Sequence, residues 1–283
     1  MWNLAQLGVA NYRSHLDVAF PINAIPEQVS EAEKDMLLLL YDVYVEKLGR
    51  PSGELAGEGQ RPGLLEAVHD AYDLVQDRRR LAKLRAALKL LAQVCPYCGF
   101  GQVDELDHVL QRVHFKLFSI FPLNLVPCCG ACNRGKRKVP SEIASEQQVH
   151  VYLEDVSAFD FLRADAQIDA ASGALVVQYS IVQSAGMGDD LYARLKHHLV
   201  EFKLRERYQK QVNLYLGGLE YPIASSFETT GADGLKVFLA GMAAALTRRE
   251  GTNDWRTALM RGLANCPEFY EGGFRTALGL EPA

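Results

Sequence analysis

Apolar positions between Met36 and Leu48 recur at helical spacing and stop at Gly49 and Pro51. Ser30 and Glu33 form an S-x-x-E capping-box pattern ahead of them, which predicts a first helix. The Gly/Pro-rich connector PSGELAGEGQRPG (51–63) follows, with Pro62 suited to a first helical turn. From about Gly63 to Gln93 the period is again helical, predicting one long helix that delivers the chain to Cys95. Residues 1–29 read as mixed, because Pro21 and Pro26 break any long element. Beyond Pro140 the pattern changes character. AQIDAASGALVVQYSIV (166–182) predicts a β-hairpin turning at Ser172-Gly173, and helical spacing returns over Asp189–Leu216, Gly234–Arg249 and Asp254–Ala264, with Gly251 as a stop. No internal repeat or low-complexity tract interrupts this plan. The expected fold class is α+β: a helical N-terminal region (1–93), a compact central module (94–140) and a mainly helical C-terminal region with a hairpin (141–283).

At 283 residues and 48% hydrophobic, the chain can bury a sizeable core without disulfide staples. The longest aliphatic run, MLLLLY (36–41), is far too short to span a bilayer, and no charged segment followed by a long apolar run opens the sequence. These features predict a soluble cytoplasmic protein with no membrane partner. The net charge of −5 hides an uneven distribution. Between Arg78 and Pro140 stand twelve Lys/Arg against three Asp/Glu, a local +9 that leaves −14 for the rest of the chain.

That basic segment also holds five of the six cysteines: Cys95, Cys98, Cys128, Cys129 and Cys132, with Cys266 distant. Clustering of this kind in a chain without a secretion signal favours metal over disulfides. The spacing Cys95-x2-Cys98-x30-Cys129-x2-Cys132 describes two knuckles, with Gly99 suited to the first turn, and four thiolates are what a tetrahedral structural Zn²⁺ needs. Cys128-x3-Cys132 is conceivable too, but the x2 spacing of Cys129 matches the first pair. A unit of about 45 residues cannot bury enough apolar surface to fold firmly, whereas structural zinc contributes on the order of 10–16 kcal/mol of apparent binding energy. Four sulfurs leave no open position on that ion, so any chemistry must use other residues.

Within and just after the loop joining the knuckles lie Asp107-His108, Asn124 and Asn133. A neutral histidine can take a proton from water near pH 7, and a hard oxygen donor such as Asp107 suits Mg²⁺. Taken together, CPYCG, ELDH, NLVPCCGACN and RGK resemble the HNH endonuclease family, the ββα-metal or His-Me finger nucleases, in its zinc-stabilised form. The resemblance covers residues 95–138. It implies a ββα-metal module and a metal-dependent endonuclease that hydrolyses phosphodiesters of DNA, duplex by default, leaving 5′-phosphate and 3′-hydroxyl ends. It further implies His108 as general base, Asp107 and Asn133 as ligands of one catalytic Mg²⁺ or Mn²⁺, and Asn124 as the residue whose side chain or main chain orients the imidazole. Two departures stand out: many relatives have His where this chain has Asn133, and the usual Pro-Lys or Pro-Arg step is replaced by Leu110-Gln111-Arg112. The layout resembles stand-alone bacterial nucleases, some of which work with an ATPase or sensor partner in phage defence or restriction. Residues 141–283 would then dock a partner or select a target. The competing readings are a zinc-dependent nucleic-acid-binding or adaptor protein without catalysis, and a nuclease subunit inactive without its ATPase or sensor partner.

Two basic runs flank the site. DRRRLAKLRAALK (77–89) reads as a helix whose leucines 81, 84, 88 and 91 pack inward, and RGKRK (134–138) follows the last cysteine. Arg79, Lys83, Arg112, Arg134, Lys136, Arg137 and Lys138 are the expected phosphate contacts, giving affinity that falls with salt. His114 reads as an exposed loop residue. His197 and His198, being adjacent on a helix, read as one core and one surface residue. Trp255, Phe269, Tyr270 and Phe274 read as closing a helical core.

Overall fold

The computed structural model describes residues 3–7, 12–22, 28–137, 139 and 141–280. The chain divides into two compact units, residues 2–156 and 157–283. The boundaries expected at 93/94 and 140/141 therefore do not separate compact units: the cysteine-bearing segment shares its core with the helical arm before it.

In the first unit the order is α1 (Tyr12–Ala19), α2 (Glu31–Glu46), α3 (Pro62–Asp70), α4 (Ala82–Leu90), β1 (Glu105–His108), β2 (Leu125–Cys128) and α5 (Gly130–Gly135). The Ser30/Glu33 capping box forms, each side chain bonding the other residue's backbone N–H. Leu48 and Gly49 then turn left-handed, which ends the helical path after α2. An aromatic cluster forms part of the core. Tyr41 of α2 stacks on Phe121 at 4.0 Å and Tyr44 meets Phe118 at 5.2 Å, so α2 forms the floor under the loop between β1 and β2.

The long helix expected over 63–93 is broken. After α3 a 3₁₀ turn runs Ala71–Val75, and Arg78 adopts a left-handed φ of 64° before α4 begins at Ala82. Arg78, Arg79 and Arg80 consequently occupy a turn and not a helix face. Leu81, Leu84 and Leu88 are buried as expected, and Leu91 is half-buried.

In the second unit β3 (Leu162–Ile168) and β4 (Leu175–Ile181) form the expected antiparallel hairpin, with Ile168 opposite Leu175. Gly173 supplies the left-handed turn residue at φ 70°, and Asp169 Oδ1 accepts from the Ser172 N–H and hydroxyl. The helices are α6 (Asp189–Glu201), α7 (Leu204–Gly217), α8 (Glu220–Glu250), α9 (Trp255–Ala264) and α10 (Phe274–Ala277). Lys203, at φ 50°, divides the stretch expected as one helix over 189–216, and Gly231 breaks the helical path inside α8. A Cβ on Gly262 would lie 2.2 Å from the Ala164 carbonyl oxygen, so α9 rests directly on β3. Trp255, Phe269 and Phe274 are buried and Tyr270 is half-buried; His198 is buried and His197 partly so. Among the described residues no helix is long and apolar enough to cross a membrane.

Candidate metal centre and active site

The Sγ atoms of Cys95, Cys98, Cys129 and Cys132 all lie within 4.8 Å of one another, and all four residues are buried. The first pair sits on a tight knuckle in which the Gly99 N–H bonds the Cys95 carbonyl at 2.7 Å with Gly99 at φ 75°. Gly101 closes it: its N–H reaches Cys98 Sγ at 3.3 Å, and a Cβ there would collide with Cys129 Sγ at 2.6 Å. The second pair straddles the start of α5, Cys129 just before it and Cys132 inside it. Four converging buried thiols could hold a metal such as zinc. Cys128 is fully buried in β2 and stands outside the cluster, its thiol pushed up by burial.

β1 pairs with β2 so that His108 faces Leu125 and Asp107 faces Val126. Asp107 is only 4% exposed. Its Oδ2 accepts from the Tyr97 hydroxyl at 2.7 Å and from Lys136 Nζ at 2.8 Å, and Lys136 also donates to the His108 and Val109 carbonyls. Asn133, on α5, donates Nδ2 to Glu105 Oε2 at 2.6 Å, so its amide oxygen is the side-chain atom that could act as an acceptor or ligand.

The His108 ring packs edge-on against Tyr72 at 4.5 Å, and its Nε2 contacts the Ser119 carbonyl at 3.0 Å. A carbonyl only accepts, so Nε2 carries the proton and Nδ1 is the basic nitrogen. Burial pushes the imidazole down to about 3, with Arg112 and Lys136 acting in the same direction, so the ring is neutral at pH 7.

The Asn124 side chain does not bond the imidazole; its main-chain carbonyl accepts from the Val109 N–H at 2.9 Å, next to His108. Asn124 is fully buried and instead clamps the loop between the strands. Its Oδ1 accepts from the Leu110 N–H at 2.7 Å and the Tyr44 hydroxyl at 3.1 Å, and its Nδ2 donates to the Leu110 and Phe118 carbonyls, both at 3.1 Å. Tyr44 in turn meets His150 Nε2 at 3.0 Å. The same loop carries Ser119, whose carbonyl contacts the imidazole, so the Asn124 side chain bears on His108 through the loop's shape and its main chain through the pairing beside β1.

Asp107, His108 and Asn133 line one cleft of about 300 Å³, joined by Tyr72, Gln111, Arg112, Lys136 and Arg137. Arg112 lies over the Tyr72 ring at 5.0 Å, and Arg137 pairs with Glu146. Arg134 is exposed and bonds Glu105 at 3.1 Å. Lys136 does not have the exposure expected of a phosphate contact: it is 8% exposed and its ammonium points inward. Arg79 and Lys83 are exposed but do not line the cleft, and Lys138 lies outside the described residues. His114 is exposed.

Asp107 and Asn133 line the same cleft and bring to it oxygen donors of the type a hard cation takes. One carboxylate and one amide oxygen are the sparse protein ligand set that Mg²⁺ or Mn²⁺ takes when water and phosphate complete the shell. Sequence reading missed Tyr72 and Tyr97. Tyr97 sits inside the CPYC knuckle, a visible signal that its hydroxyl stays near the cysteines, whereas nothing in the sequence aims Tyr72 at His108.

The chain is similar to protein ea31 of Escherichia phage lambda, at 23% identity over 192 residues, covering 63% of this chain and 64% of that protein. The match thus spans just under two thirds of either chain. No family model matches the sequence, and no solved structure matches the fold.

Proposed function

We propose that the protein is a metal-dependent endonuclease of the HNH type, hydrolysing phosphodiester bonds of DNA. The observation that carries this reading is convergence: Asp107, His108 and Asn133 line one cleft on a β-hairpin and following helix that the four-cysteine cluster pins together. In this reading the cluster holds structural Zn²⁺ and leaves the chemistry to the cleft. His108 Nδ1 takes a proton from water as it attacks the phosphorus. The Ser119 carbonyl and the Tyr72 ring hold the imidazole in place for that transfer. Asp107 and Asn133 hold one Mg²⁺ or Mn²⁺, which when bound offsets charge on the phosphate and leaving oxygen. In this reading Arg112, which lines the cleft wall, takes a phosphate oxygen.

The test is a substrate panel of supercoiled plasmid, linear duplex, single strand and RNA, incubated with Mg²⁺ or Mn²⁺ and with a chelator control. Metal-dependent nicking with 5′-phosphate ends supports the reading, and intact substrates in every lane count against it. A second reading, a zinc-dependent nucleic-acid-binding or adaptor protein, draws on Asp107 Oδ2 being engaged by both Tyr97 and Lys136. It expects salt-sensitive binding without turnover under any divalent metal. Cleavage restored only by a co-purifying ATPase or sensor protein would identify a gated nuclease subunit.

A further inference from the structure

Lys136 is the buried cation of the cleft. Its ammonium has three N–H donors and faces three oxygens: Asp107 Oδ2 at 2.8 Å, the Val109 carbonyl at 2.9 Å and the His108 carbonyl. Asp107 Oδ2 also takes the hydroxyl of Tyr97, a residue 1% exposed. The two donors arrive from opposite halves of the cysteine cluster, Tyr97 from inside the first pair and Lys136 from just past the second. They differ in charge. Tyr97 only fixes the carboxylate's orientation, whereas Lys136 adds a unit positive charge within hydrogen-bond distance of the atom that would hold a divalent ion, in a buried corner where like charges repel strongly.

We propose that Lys136 sets how tightly the cleft takes a divalent cation, by competing through its ammonium for the Asp107 carboxylate while its carbonyl contacts hold the Asp107-His108 step. This rests on the reading of Asp107 as a ligand of that cation. The consequence is weak metal binding by the free protein and tighter binding once a phosphodiester is present, because the phosphate's negative charge offsets both cations. Lys136 is thus a positioning residue that couples metal uptake to substrate.

The experiment titrates Mn²⁺ by electron paramagnetic resonance into the full-length, zinc-loaded protein, comparing wild type with Lys136→Met, Lys136→Gln, Lys136→Arg, Tyr97→Phe and Asp107→Asn. The two variants without charge are expected to bind Mn²⁺ at least about tenfold more tightly than wild type. Lys136→Arg and Tyr97→Phe keep the positive charge and stay near wild-type affinity. Mere structural damage would loosen the site, so a gain in affinity separates the two explanations. Should Lys136→Met fail to fold, Lys136→Gln retains an N–H donor for the carbonyls and serves in its place. Folded, uncharged variants that bind no more tightly than wild type, while Asp107→Asn loses Mn²⁺, overturn the proposal alone. Mn²⁺ binding that survives Asp107→Asn overturns both the proposal and the ligand assignment beneath it.

Discussion

Asn124→Ala is the substitution whose cost follows most directly from the geometry. The side chain is fully buried and makes four hydrogen bonds, to the Leu110 N–H, the Leu110 and Phe118 carbonyls and the Tyr44 hydroxyl. Alanine removes all four and orphans the buried Leu110 N–H and carbonyl, while the Tyr44 hydroxyl keeps His150 and the Phe118 carbonyl keeps the Phe121 N–H. Each orphaned group costs about 1–3 kcal/mol before relaxation, and partial repacking brings the total to about 4 kcal/mol. For a unit of this size about 2–4 °C accompanies each kcal/mol, so the first unit should melt about 10 °C lower. Asn124→Asp keeps the acceptor but sets a second oxygen against two carbonyls, so it should be at least as unstable. Scanning calorimetry gives the shift, and amide exchange at Leu110 locates it. A variant within about 1 kcal/mol of wild type, with the Leu110 amide still protected, would refute the idea that Asn124 is the clamp of this loop.

Further outcomes follow from the same structure. Elemental analysis should find one zinc per chain, and Cys98→Ser or prolonged chelation should loosen the two knuckles and α5, because the four buried thiols converge on one point; loss of zinc without loss of structure would remove the metal's structural role. His150 is buried and pushed down to about 3 from an ordinary 6.5, mainly by desolvation. Its unfolded form binds a proton that the folded form refuses, so stability is full above about pH 6.5 and declines below it, by about 2 kcal/mol at pH 5 from this residue. Urea melts across that range should show the slope, with His108 adding to it, and His150→Gln should flatten it in part.

How much of this was legible in the sequence depends on how local each cause is. The α2 cap, the Gly173 hairpin and the two cysteine knuckles are written in residues a few positions apart, and each forms where the pattern places it. The break at Arg78 and the one at Lys203 were not legible, because each puts an ordinary side chain in a left-handed conformation that only tertiary packing selects. The same holds for the site. Asp107, His108 and Asn133 could be named from their order around the cysteines, but the partners that fix them come from elsewhere. Tyr72 arrives from the arm before the knuckles, Tyr44 from α2, and Lys136 turns inward although its neighbours Arg134 and Arg137 stay at the surface. A run of basic residues does not reveal which of its members is the buried one.

The central claim is that the histidine at the end of β1 performs proton transfer in a cleft that also binds metal. Its most direct test is the single-turnover rate of plasmid nicking by His108→Ala beside wild type, with equal zinc content and matched melting temperatures. The rate should fall by about 10²–10⁴-fold with Mn²⁺ binding retained. Equal nicking by the two proteins would contradict the account.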